Sequence, residues 1–233
     1  MSIFKNTQVS LFTPTPIDGH YKLGKSPKTV SFYDVLFQPL QPELITAIRN
    51  EPDKDKLKQL KQGLYAITPS AICKGGRQGK HVVRHTGLMA FDIDDVPDDM
   101  EQCFQRVKQI PHVLYLGLSA SGNGLWGLIR LAYPEKHSQH FEAMRRMFDE
   151  MGIKIDPAPK AVNSLRYLAY DENAYCNENA ELFRELMEQT PAVVLTQPTR
   201  RLPLMSRTTS TDLTNWFNDN CTVSDIDEIL TNA

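Results

Sequence analysis

The chain has 233 residues, of which 41% are hydrophobic and 23% charged, and its formal net charge is -2 at pH 7. These values are ordinary for a soluble globular protein. No apolar run reaches membrane-spanning length and the first residues carry no secretory pattern, so we expect a cytoplasmic protein without a membrane partner. Four scattered cysteines, with no Cys-x-x-Cys pair, argue against a zinc site.

The first 86 residues predict a small unit of mixed α and β structure. A strand is expected over residues 9–12, a loop over 13–23, and short helices from Ser31, over 42–49 and over 53–64. The third helix carries Lys56, Lys58 and Lys61, which we interpret as its solvated face.

A basic hairpin is predicted next. Residues 71–74 and 80–84 flank the tip Gly75-Gly76-Arg77-Gln78-Gly79, and the chain from Lys56 to Phe91 has seven basic residues and no acidic one. Such a tip could bind a phosphodiester backbone or be an ordinary surface turn. His81 with His85, and His137 with His140, could pair on a helix face, but neither pair has a third metal ligand nearby.

The stretch from Gly87 to Asp95 has the alternation of a strand. Its pattern places Leu88, Ala90, Asp92 and Asp94 on one face, and Met89, Phe91 and Ile93 on the other. Two carboxylates on one face repel each other unless a positive charge lies between them, so a divalent cation is expected there. The alternative is a strand that simply ends in an acidic turn.

The elements from residue 87 onward follow the order βαββαβ. The predicted strands cover residues 87–94, 112–119, 125–132 and 164–169, and the predicted helices cover 98–109 and 138–151. This order is typical of the ferredoxin-like or RRM-like α+β fold, in which the first and third strands are central and the fourth lies beside the first.

Two segments are expected to converge on the carboxylates. The turn from Ser119 to Gly124 carries hydroxyls and glycines suited to phosphate, although Asn-Gly is also a common hairpin turn. Asp156 could be a third metal ligand or only a turn former before Pro157. Arg166 could lie among phosphate oxygens.

Together these motifs resemble the archaeo-eukaryotic primase superfamily, the primase-polymerases. The likeness lies in Phe91-Asp92-Ile93-Asp94, in Ser121-Gly122-Asn123-Gly124-Leu125-Trp126 and in Ile155-Asp156. Residues 68–170 are also similar to the VirE-type, primase-like amino-terminal domains of bacterial mobile-element proteins; the first 67 residues are similar only loosely. Where polymerising members have His after the Gly-rich turn, this chain has Trp126.

The resemblance implies a DNA primase-polymerase, a nucleotidyltransferase of mobile-element replication. It implies that Asp92, Asp94 and Asp156 bind two Mg²⁺ or Mn²⁺ ions and carry catalysis. The implied triphosphate site comprises Ser119, Ser121, Gly122, Asn123 and Gly124, with Lys160 or Arg166 supplying charge in place of the missing His. The implied partners are DNA template and primer, nucleoside triphosphates, and a helicase or ATPase; Lys74, Arg77, Lys80 and Arg84 would follow the template backbone.

The resemblance also implies that residues 1–190 form the catalytic domain, with an αβ unit over 1–86 and the RRM-like core over 87–171. A helix is predicted over 179–189, and 191–233 reads as a linker with two short helices. The main alternative is a degenerate primase fold that binds nucleic acid or nucleotide without polymerising, which Trp126 favours. A nucleotide cyclase, which also uses paired carboxylates, is a further alternative.

Overall fold

The structure is a computed structural model that describes residues 2–18, 20–94, 96 and 99–187. The linker and the two short helices predicted within 191–233 lie outside these residues. Within the described part of the chain, no helix combines the length and the apolar character needed to cross a bilayer.

The fold is α+β, with antiparallel sheets. The helices are α1 (Ile3–Asn6), α2 (Phe32–Leu36), α3 (Pro42–Asn50), α4 (Lys54–Gln62), α5 (Met100–Lys108) and α6 (His137–Glu150). The strands are β1 (Gln8–Phe12), β2 (Pro14–Ile17), β3 (His20–Leu23), β4 (Lys28–Ser31), β5 (Ala66–Thr68), β6 (Ala71–Cys73), β7 (Val82–His85), β8 (Leu88–Ile93), β9 (Val113–Leu118), β10 (Leu125–Arg130), β11 (Arg166–Tyr167) and β12 (Tyr175–Cys176).

The acidic strand β8 belongs to a four-stranded sheet of order β12-β9-β10-β8. The predicted alternation of β8 is confirmed, because its residues divide between two hydrophobic cores. Met89, Phe91 and Ile93 face one core, in which the Phe91 ring lies 4.9 Å from the ring of Phe148 on α6. Helices α5 and α6 cover this face of the sheet.

The other face of the same sheet is covered by the amino-terminal part of the chain. Leu88, Ala90 and Trp126 lie in a core with Phe4 and Phe32, which come from α1 and α2. Asp92 and Asp94 continue the Leu88 and Ala90 side of the strand. The two carboxylates are therefore directed toward the amino-terminal unit and away from α5 and α6.

A second four-stranded sheet has the order β11-β5-β1-β4. Its strand β11 falls within the predicted fourth strand of the core, but it is only two residues long and does not lie beside β8 as expected. Arg166 and Tyr167 pair instead with Ile67 and Ala66, and the Leu168 N–H donates to the Tyr65 carbonyl at 2.8 Å. The pairing of β11 thus depends on a long-range contact that local sequence does not encode.

The structure confirms one further prediction of secondary structure and contradicts two. The hairpin from residue 71 to 85 is confirmed, since β6 pairs with β7. The loop prediction over 13–23 is wrong, because β2 and β3 form a second hairpin in spite of two prolines. No helix forms over the described residues 179–187; Phe183 instead makes a parallel bridge with Leu131.

Candidate functional site

Three aspartates line one open cleft of about 190 Å³ between the two four-stranded sheets. Asp92 belongs to β8, Asp94 follows the end of this strand, and Asp156 comes from the irregular segment after α6. The Asp156 N–H donates to the carbonyl oxygen of Asp92 at 2.9 Å, which fixes the third acid beside the first. The structure thus brings Asp156, which is distant in the sequence, together with the predicted pair Asp92 and Asp94.

The Asp156 carboxylate also closes a local turn. Its Oδ1 accepts a 2.8 Å hydrogen bond from the backbone N–H of Ala158, two residues further along. This Asx-type bond leaves the second carboxylate oxygen outside the turn. The turn therefore orients Asp156 while one of its oxygens keeps its capacity for another partner.

Arg166 reaches into the same cleft from β11 and forms an ion pair with Asp92. The two side chains are 12% and 17% exposed, respectively, so the pair is largely removed from water. The guanidinium carbon also lies 4.5 Å from the ring centre of Trp126. Burial lowers the pKa of Arg166, but an arginine in a protein stays protonated at neutral pH. Its Nε has no hydrogen-bond partner among the described residues.

The turn between β9 and β10 forms another wall of the cleft. Ser119 and Ser121 both line it, with their hydroxyl oxygens 3.4 Å apart. A Cβ at Gly124 would lie 2.5 Å from the Ile93 carbonyl oxygen, so the close approach of the turn to the end of β8 requires glycine here. Gly122 has φ +74 and Asn123 is exposed, and both shape the turn without lining the cleft.

Lys61 is a cleft residue that our interpretation of the sequence missed. We expected it on the solvated face of α4, but its ammonium donates to the Ser121 hydroxyl at 3.3 Å and it lines the cleft. Burial lowers the pKa of Lys61, while the nearby Asp94 carboxylate raises it. Helical periodicity places Lys61 three residues from Lys58 and cannot show which end of the helix approaches the sheet.

Arg49 is a second basic residue near the turn that the sequence did not single out. Its guanidinium donates to the Tyr170 carbonyl at 3.1 Å. The Arg49 side chain also passes Gly122, since a Cβ there would lie 3.5 Å from Arg49 Cγ. The hydroxyl-rich turn is therefore flanked by the side chains of Lys61 and Arg49.

Some predicted residues lie elsewhere. The Lys160 ammonium donates to Glu142 at 2.7 Å, and Lys160 is not among the lining residues of the cleft. The four predicted template residues are all exposed on the β6–β7 hairpin and its tip: Lys74, Arg77, Lys80 and Arg84. Of these, Arg77 lines a groove next to the cleft, and Tyr167 lines both hollows.

The cleft suits a hard cation in its chemistry, because its three acids offer only carboxylate oxygens. Within the described residues, however, no group of three or more His, Cys, Asp or Glu side chains is gathered tightly enough to hold a metal ion. The ion pair of Asp92 with Arg166 explains part of this, since it occupies one of the three ligands. The donor set fits Mg²⁺ or Mn²⁺ in chemistry, with Arg166 paired to Asp92 and Lys61 near Asp94.

Comparison with known protein families gives a match over part of the chain. The model of a family described as BT4734-like, N-terminal domain, matches residues 59–176, which is about half of the chain. This range includes Lys61, the three aspartates, the serine turn and Arg166. No curated protein and no solved structure matches the chain.

Proposed function

For this chain, which belongs to the BT4734-like N-terminal domain family, we propose a metal-dependent nucleotidyltransferase activity of the primase-polymerase type. The observation that carries the proposal is the convergence of Asp92, Asp94 and Asp156 on one cleft that also presents Ser119, Ser121 and two cations. Carboxylates for metal and cations for phosphate are the two requirements of phosphoryl and nucleotidyl transfer.

The three acids are proposed to hold Mg²⁺ or Mn²⁺. Once bound, such ions activate an attacking hydroxyl and neutralise the departing pyrophosphate. With Arg166 released from Asp92, the carboxylates of Asp92, Asp94 and Asp156 would hold the ions together. The switch of Arg166 from carboxylate to phosphate would couple substrate binding to assembly of the metal site.

The triphosphate is proposed to lie between the serine turn and the two cations. Lys61 already donates to the Ser121 hydroxyl, so its ammonium is directed toward this wall. A guanidinium can bind two phosphate oxygens at once, and Arg166 retains an unpartnered Nε–H for this purpose. We therefore propose that Arg166, and not Lys160, supplies the positive charge that a histidine provides in polymerising members of the primase superfamily.

The sheet supports a ferredoxin-like origin of the core. Its order β8-β10-β9 is that of the first three strands in a βαββαβ unit. We propose that the fourth strand of this fold was drawn into the neighbouring sheet as β11. This displacement opens β8 to the cleft and carries Arg166 to Asp92.

A primer-extension assay tests the proposed activity. Wild-type protein should incorporate labelled nucleotide on a primed or unprimed template with Mg²⁺ or Mn²⁺, and chelation should abolish incorporation. Asp94→Asn and Asp156→Asn should lower the rate by roughly a hundredfold or more, whereas the exposed Asp55→Asn on α4 should not. Absence of incorporation by the wild type with either metal would refute the enzyme proposal.

A second candidate function is supported by the Asp92–Arg166 ion pair and by Trp126. A protein that binds nucleotide or nucleic acid without polymerising could keep Asp92 permanently neutralised, and Trp126 is fully buried where polymerising members carry His. In this case triphosphate binding persists when incorporation is absent. Isothermal titration of wild-type protein with a nucleoside triphosphate, set beside the extension assay, separates the two functions.

A further inference from the structure

A second hollow adjoins the aspartate cleft. It is an open groove of about 640 Å³, formed where the β2–β3 hairpin faces the tip of the β6–β7 hairpin. Tyr167 is part of the wall of both hollows, so the groove and the cleft are direct neighbours. Its lining residues include Tyr21, Lys22, Lys25, Arg77 and Tyr167.

The charged side chains that line the groove are all basic. Lys22, Lys25 and Arg77 line it, and no aspartate or glutamate is among the lining residues. Among the described residues, none of the three forms an ion pair. Their charges are consequently available to an external polyanion.

The groove also presents an aromatic surface. Tyr21 is 46% exposed, although a side chain of this size is usually better covered. It lies on β3 next to Lys22, and Tyr167 forms the wall at the cleft end. Exposed rings interleaved with unpaired cations are the pattern with which proteins bind single-stranded nucleic acid, because bases stack on the rings and phosphates contact the cations.

The backbone at the tip of the β6–β7 hairpin is sterically constrained. Gly76 has φ +155, and a Cβ there would lie 2.3 Å from the His81 ring, so any other residue would displace the tip. The Asn163 amide also donates to the Arg77 carbonyl at 2.8 Å and holds Arg77 in place. These contacts fix the side of the groove that is formed by the β6–β7 tip.

We propose that this groove binds a single-stranded segment of nucleic acid. Lys22, Lys25 and Arg77 contact its phosphates, one base stacks on Tyr21, and the strand passes Tyr167 toward the three aspartates. The direction of the strand into the cleft rests on the proposed function, but binding in the groove does not. A duplex cannot offer an unpaired base to Tyr21, so the site is specific for single strands.

Fluorescence anisotropy with a labelled single-stranded oligothymidylate tests this site in the full chain. Chelator is present and nucleotide is absent, so the result does not depend on metal or catalysis. Tyr21→Ala should weaken binding about 5- to 150-fold, the effect of losing one stacked base; Tyr21→Phe, which keeps the ring, should bind as the wild type does. The triple variant Lys22→Gln, Lys25→Gln, Arg77→Gln should lower the slope of log affinity against log salt by about 2, at about 0.7 for each phosphate that the variant no longer neutralises.

The matched control is the triple variant Lys136→Gln, Arg146→Gln, Lys154→Gln. It removes three positive charges that do not line the groove. If this control weakens binding as much as the groove triple variant, or if Tyr21→Ala binds like the wild type, the groove is not the site. Failure of the wild type to bind, or equal competition by duplex, overturns the proposal as well. Binding is measured with chelator and without nucleotide, so loss of incorporation and loss of strand binding are separable failures.

Discussion

Trp126 lies directly opposite Asp92 in the antiparallel pair of β10 and β8. Residues opposite each other in such a pair project from the same face, so the Trp126 ring and the Asp92 carboxylate are neighbours. The ring is fully buried, lies 4.8 Å from the Tyr115 ring and supports the Arg166 guanidinium. Trp126 thus stabilises the cation that neutralises Asp92, and it is too deeply buried to stack on a base.

The pairing of Arg166 with Asp92 predicts strong coupling in a double-mutant cycle. Arg166→Met alone leaves a largely buried carboxylate unpaired and should lower the free energy of unfolding by about 3 kcal/mol or more. Adding Asp92→Asn removes that charge and should recover most of the loss. Urea denaturation of the four proteins measures the coupling, and additive effects of the two changes would show that the pair does not form.

The position of Lys61 predicts a role in triphosphate binding that its neighbour on the same helix does not share. Lys61→Gln removes a charge from the cleft wall and should weaken triphosphate binding roughly ten- to hundredfold, the value of a lost charge-assisted hydrogen bond. Lys58→Gln, at an exposed position of α4, serves as the control. Isothermal titration compares the two; equal affinities in both variants would place the triphosphate elsewhere.

The close approach at Gly124 predicts a steric effect on the cleft. A methyl group there meets the Ile93 carbonyl and would push the serine turn away from the end of β8. Gly124→Ala should cost about 1–3 kcal/mol of stability, as overpacking does elsewhere. Gly79→Ala is the comparison, because nothing lies within 4 Å of a Cβ at that position. Thermal unfolding should give a clearly lower melting temperature for Gly124→Ala than for Gly79→Ala. Equal melting temperatures would contradict the steric effect.

Two hydrogen-bonded histidines join the backbone just before β8 to the turn after Asp156. The Gly87 N–H donates to His85 Nδ1 at 2.9 Å, so the proton of neutral His85 is on Nε2, which lies 3.0 Å from His137 Nδ1. His137 Nε2 then donates to the Pro159 carbonyl at 2.8 Å. Every ring nitrogen of both histidines has a partner, and an added proton on either ring would break one of these bonds.

The hydrogen bonds of His85 and His137 predict that the folded protein loses stability in acid. Burial, with smaller contributions from His137 and His140, lowers the pKa of His85 to about 4, and burial also lowers the pKa of His137. The unfolded chain binds protons on these rings near pH 6.5 and the folded chain does not, so stability falls as the pH decreases from about 6.5 to about 4. Urea midpoints across this range should change less in the double variant His85→Gln, His137→Gln. The exposed His20→Gln should keep the wild-type dependence.

Much of the architecture was predictable because it depends on local pattern. Period-two alternation indicated β8 and its two faces, and Ser31 does cap α2 by accepting from the Tyr33 N–H. The alternation predicted that Asp92 and Asp94 share one face, whereas the placement of Asp156 near them was expected from the βαββαβ order. The β2–β3 hairpin was missed because Pro14 and Pro16 suggested a loop, although both residues fit in a two-stranded ribbon.

The long-range features could not be derived from local sequence. Strand β11 has only two residues and is defined by its partner β5, so no periodicity could show which sheet it joins. The same limit hid Lys61 and the pairing of Arg166 with Asp92, which depend on how two sheets face each other. The residues that neutralise the acids were therefore the part of the site least accessible to sequence reasoning.

The central claim is that Asp92, Asp94 and Asp156 together bind divalent metal. Electron paramagnetic resonance of Mn²⁺ titrated into the protein, with and without a nucleoside triphosphate, tests it most directly. We expect the wild type to bind Mn²⁺ with an affinity that rises with the triphosphate. The affinity should fall roughly tenfold or more in Asp94→Asn and Asp156→Asn, but not in Asp55→Asn. Equal Mn²⁺ binding by all four proteins, or none by the wild type even with triphosphate, would contradict it.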